Sequence, residues 1–126
     1  MSQARDLLAA LREMNSTSDR SVAQFTPSLV GMFGSKTMLD LFLADVETAI
    51  DSGNITQPLK QRATNLIHTF IPQVAGFNGI ADPAAYPATA EELRRIRPDS
   101  PEQKSLGVRM ILAAFMKILD EVVRRG

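Results

Sequence analysis

His68 is the only imidazole in the chain, and so the first residue to weigh as an acid–base catalyst or metal ligand. It lies with Lys60, Gln61, Thr64, Asn65 and Thr69 on the polar side of a helical pattern. No second histidine and no Glu-x-x-His pair accompanies it, so a surface or hydrogen-bonded histidine is expected. Asp40, Glu47 and Asp51 fall on one face of another helix. Carboxylates so spaced could move protons or hold a hard cation. They also describe a solvated helix face, with Lys36 four residues before Asp40 as a partner. No Gly-rich phosphate loop, no Gly-x-Ser-x-Gly elbow and no calcium loop is present. The cysteine count is 0, which excludes thiolate chemistry, Cys-ligated zinc and disulfides. Neither a catalytic constellation nor a cofactor or metal site emerges, and a non-enzymatic chain is expected.

Basic residues offer a different chemistry, contact with phosphate. Ser52 to Ala81 contains no acidic residue but holds Lys60, Arg62 and His68. Further on, Arg94, Arg95 and Arg97 stand close together and Arg109 follows. These five arginines could line a nucleic-acid path if they converged on one surface. Against this, Glu91, Asp120 and Glu121 each precede an arginine by four residues, the favoured helical ion-pair order. The acid-free stretch could also lie against the acidic helix that precedes it, across a short turn. With 14 Lys+Arg and 14 Asp+Glu the formal net charge is zero, so the totals select no charged partner.

These residues need helices to position them. The chain of 126 residues is 44% hydrophobic and 22% charged, the size and composition of one globular domain spanning residues 1–126. Apolar spacing predicts a first helix over Ser2 to Met14, stopped by Asn15-Ser16-Thr17-Ser18. A second, Asp19 to Phe33, should break near Thr26 because Pro27 follows. Ser35 caps a third, with an inward stripe of Met38, Leu39, Phe42, Leu43, Val46, Ala49 and Ile50. A fourth starts near Thr56, with Leu59, Ala63, Leu66, Ile67, Phe70 and Ile71 inward, until Pro72 ends or kinks it. A loop with Pro83, Tyr86 and Pro87 leads to a short helix at Thr89-Ala90-Glu91-Glu92. Ser100-Pro101-Glu102-Gln103 opens a final helix reaching about Arg124. No segment alternates as a strand would. The expected fold is all-α, an irregular bundle of five to six helices.

The final helix is apolar on more than one side. Val108, Ile111, Phe115, Ile118 and Val122 make one stripe, and Leu112, Met116, Leu119 and Val123 a second. So wide an arc must be covered from several directions. Either this helix is the centre of the bundle, or the second stripe is a subunit interface, and both can hold at once. The function expected is a protein–protein interaction module or structural subunit, self-associating through that helix. The alternative is an accessory subunit of a nucleoprotein assembly of phage or defence type, using Arg62, Arg94, Arg95, Arg97 and Arg109. The charged N-terminal segment and the shortness of every apolar run point to the cytoplasm, with no membrane contact.

Overall fold

A computed structural model describes residues 3–86 and 88–126. Met1, Ser2 and Pro87 lie outside the described residues, as do the helix start expected at Ser2 and the loop role of Pro87. The fold is all-α, without strands among the described residues. Its helices are α1 (Gln3–Ser16), α2 (Arg20–Ala23), α3 (Pro27–Phe33), α4 (Lys36–Ser52), α5 (Gln57–Asn65), α6 (Ile71–Phe77), α7 (Ala90–Arg95) and α8 (Pro101–Arg125). A π-turn, Leu66–Phe70, joins α5 to α6 as one rod, and a 3₁₀ turn, Pro83–Ala85, precedes α7.

Capping residues set the boundaries. Ser35 Oγ accepts from Met38 N at 3.1 Å, Thr56 Oγ1 from Leu59 N at 3.4 Å and Ser100 Oγ from Gln103 N at 3.1 Å. At α7, Thr89 Oγ1 accepts from Glu92 N at 3.2 Å, and its hydroxyl donates to Glu92 Oε1 at 3.0 Å. That box closes through the cap hydroxyl. Helices α3 and α4 end on Gly34 (φ 88°) and Gly53 (φ 74°), a left-handed conformation that side chains resist. The break near Thr26 divides the expected second helix into α2 and α3.

Helix α8 is the centre. Five consecutive residues, Ile111 to Phe115, are each at most 1% exposed, so no side of the helix meets solvent at that level. Helix α1 covers one flank and α5 another, with the 3₁₀ turn, α6 and the π-turn beyond them. Phe115 meets Phe33 and Phe42 edge-on, with ring centroids 6.2 and 6.1 Å away, and Phe33 lies 5.0 Å from Phe42. These three rings pin α3, α4 and α8 together.

Ion pairs bridge α1 and α4 beside their buried apolar contact. Arg12 pairs with Asp40 and Glu47, each at 3.2 Å, and Arg5 with Asp51 at 3.0 Å and Glu47 at 3.4 Å. Asp40, Glu47 and Asp51 are therefore engaged by α1, and neither Lys36 nor the acid-free rod partners them. Hydrogen bonding to Asp40, opposed by partial burial, raises the Arg12 pKa. Arg94 binds Glu13 at 3.0 Å, which ties α7 to α1 and holds the Glu13 carboxyl below its ordinary range. A lowered folded pKa contributes stability above the unfolded value, and that contribution fades as pH falls through the folded one. The melting-temperature gap between the wild type and Glu13→Gln should therefore be small at neutral pH and vanish in acid. A gap that widens in acid would contradict this pairing.

Candidate functional site

The groups first considered for chemistry do not form a reactive cluster. His68 is exposed on the π-turn, and its side chain bonds to no described residue. Among the described residues no group of three or more His, Cys, Asp or Glu is placed to hold a metal ion. Of the five arginines, Arg94 is held by Glu13, Arg95 by Glu91 at 2.5 Å, and Arg97 donates to the carbonyls of Ile96 and Arg94 at 2.7 and 3.1 Å. Arg109 is exposed on α8, and Arg62 stands on α5. The second stripe of α8 lies in this chain's own packing. Leu112 and Leu119 are 0% exposed, while Met116 and Val123 are part-buried against the same core.

The surface that departs from a simple bundle is the rod α5–π–α6. Pro72 lacks an N–H, and its ring crowds the carbonyl four residues earlier. Directly before it the rod widens, and the Ile71 N–H reaches the Leu66 carbonyl, five residues back. The extra residue re-phases every side chain beyond. In an unbroken α-helix Phe70 would follow Leu66 inward. Here Ile71 takes that place at 0% exposure, and Phe70 is turned out to 46%. Phe77, seven residues or about two turns further on, lies on the same line at 93% exposure. This overturns the inward position expected for Phe70. Met38 likewise leaves its expected stripe, and with Leu41 forms a smaller exposed apolar pair on α4.

Arg62 begins the same line. The residue two turns beyond it in an α-helix is Thr69, and the π-turn passes that place to Phe70. Its guanidinium lies 5.0 Å from the Phe42 centroid and 5.3 Å from that of Phe33. It makes no ion pair or hydrogen bond among the described residues. Two aromatic faces hold it in place without an anion. Beside it, α5 packs chiefly on α8 and makes few contacts with α4. The resulting cleft of about 440 Å³ has Phe42, Ala49, Pro58 and Leu59 as its apolar lining, with Asp45 and Arg62 the charged groups.

Sequence reasoning missed Phe70 and Phe77. One signal was present: from Thr69 to Ala81 there is no charged residue of either sign, although Phe77, Asn78 and Gly79 lie at the surface. No helix among the described residues is long and apolar enough to cross a membrane. Comparison with protein-family models, with curated proteins and with solved structures returned no match.

Proposed function

We propose that this chain is a non-enzymatic protein-interaction module or structural subunit whose docking face is the outer line of the α5–π–α6 rod. One observation carries the reading: the π-turn turns Phe70 out of the core, and Phe77, two turns on, is turned out with it. Aromatic side chains dominate interface energies, and π-turns concentrate at functional sites. The carboxylates that could have served catalysis are engaged by Arg5 and Arg12. Because Leu112 and Leu119 are buried within the chain, the docking reading rests on the rod and not on α8. A nucleic-acid path draws less support, since Arg94, Arg95 and Arg97 already have partners within the chain.

Phe77 contributes almost nothing to the monomer's own packing, so Phe77→Ser should change unfolding free energy by no more than about 0.5 kcal/mol. A photo-crosslinking phenylalanine analogue at position 77, in cells making the protein, should form a covalent adduct with a protein. The same analogue at Arg20, exposed on α2, should not. Equal yields at the two positions would overturn the proposal.

A further inference from the structure

We infer that the occupant of this face is a second copy of the chain, paired antiparallel about a two-fold axis at Phe70. The inference rests on the docking reading above and adds the partner and its register. A two-fold contact requires a surface that complements itself when reversed: residue i meets j, and j meets i. The rod meets this condition. Phe70 lies eight residues from Arg62 and seven from Phe77, so reversal about Phe70 sets Arg62 of each copy opposite Phe77 of the other.

The chemistry of those opposed positions fits. Phe77 is the most exposed large apolar side chain described, and projects as a knob. At Arg62 there is a cleft of about 440 Å³, large enough for a phenyl ring, whose lining mixes Phe42, Ala49, Pro58 and Leu59 with polar side chains. The guanidinium beside it is stacked on Phe42 and Phe33 on one side and lacks an anionic partner, which leaves it free to take a further ring. The antiparallel register keeps like charges apart. The two Arg62 positions stand roughly 24 Å from one another along the rod at about 1.5 Å rise per residue, beyond the ~8 Å screening length of physiological salt. Between them the surfaces in contact carry no charge after His68. A parallel pairing would set Arg62 against Arg62 and leave the cleft without a knob. One rod face is smaller than the about 800 Å² per partner of a standard interface. The dimer is therefore weak, and its population depends on concentration.

The absence of cysteine makes engineered disulfides a clean reporter of register. Under mild oxidation Phe70→Cys alone should form a covalent dimer, since position 70 faces itself across the axis. An equimolar mixture of Arg62→Cys and Phe77→Cys should also cross-link, because each such pair keeps one native Arg62–Phe77 contact. Neither of these two variants should dimerise on its own. Sedimentation equilibrium of the unmodified protein should show the mass rising from 13.8 kDa toward twice that value across the micromolar to millimolar range. Phe77→Lys, which removes the ring and sets a second cation against Arg62, should raise the dissociation constant at least tenfold. Cross-linking of Arg62→Cys with itself would overturn the register. A strict monomer at millimolar concentration would overturn self-pairing altogether. If that monomer still gave a heterologous adduct at position 77 in cells, the docking face would stand and only its occupant would be wrong.

Discussion

Phe115→Ala should lower unfolding free energy by about 3–5 kcal/mol, as large truncations in well-packed cores do. Total stability of a domain this size is only about 5–15 kcal/mol, so a large share of the molecules would unfold on modest warming. Three features place this variant at the upper end. The side chain is 0% exposed on the central helix, so the whole ring is lost from the interior. Its two aromatic neighbours, Phe33 and Phe42, are fixed on separate helices and cannot both collapse into the void. Those same rings also carry the Arg62 guanidinium, so the disturbance reaches α5 and the docking line. The urea midpoint should fall with the slope m unchanged, because the surface exposed on unfolding is nearly the same. Phe115→Leu, which keeps most of the volume, should cost less than about 1.5 kcal/mol. A Phe115→Ala loss below about 1 kcal/mol would mean that the three rings do not anchor the core.

What could be read from the residues alone was what local chemistry decides. A hydroxyl three residues ahead of a free amide caps a helix wherever the chain then goes, so Ser35, Thr56, Thr89 and Ser100 marked true starts. Pro27 forces a break at Thr26 for equally local reasons. The central place of α8 was legible because ten of its residues are apolar or small enough to bury on every side. The rest depends on partners distant in the chain. Asp40, Glu47 and Asp51 looked the same whether solvated, pairing with the rod or pairing with α1. Only the packing of α1 on α4 selects Arg5 and Arg12. Asn15 read as a turn residue. In the fold it is 3% exposed, stays within α1 and donates through Nδ2 to the Lys36 carbonyl at 3.0 Å, tying two helix ends together. The docking line was hidden for another reason. A period of 3.6 residues assigns Phe70 to the core, and the π-turn that cancels this leaves no mark in the sequence beyond Pro72. One residue of slip exchanges Phe70 for Ile71, and with it the inside of the rod for the outside.

Gly107→Ala tests a similar conflict between local preference and packing, and packing should win. Gly107 lies within the first two turns of a 25-residue helix, where alanine is favoured over glycine by about 0.5–1 kcal/mol. By that measure the substitution stabilises. Yet a Cβ at this position would fall inside contact distance of Cδ1 and Cε1 of Phe25. Phe25 is 0% exposed, seated between α2 and α3 and held from every side, so its ring cannot swing into solvent. Either the ring leaves its rotamer or the segment from α2 to α3 lifts off α8. Overpacking of this kind costs about 1–3 kcal/mol, which exceeds the helical gain, so the net effect should be a lower melting temperature. Trimming the neighbour separates the two contributions. Phe25→Leu alone should destabilise by opening space. In the Gly107→Ala/Phe25→Leu double variant the new methyl fills part of that space, so the combined loss should fall short of the sum of the single losses. Additive losses would show that the two residues do not touch. A stabilised Gly107→Ala would show that α8 and the Phe25 ring stand further apart than the close seat requires.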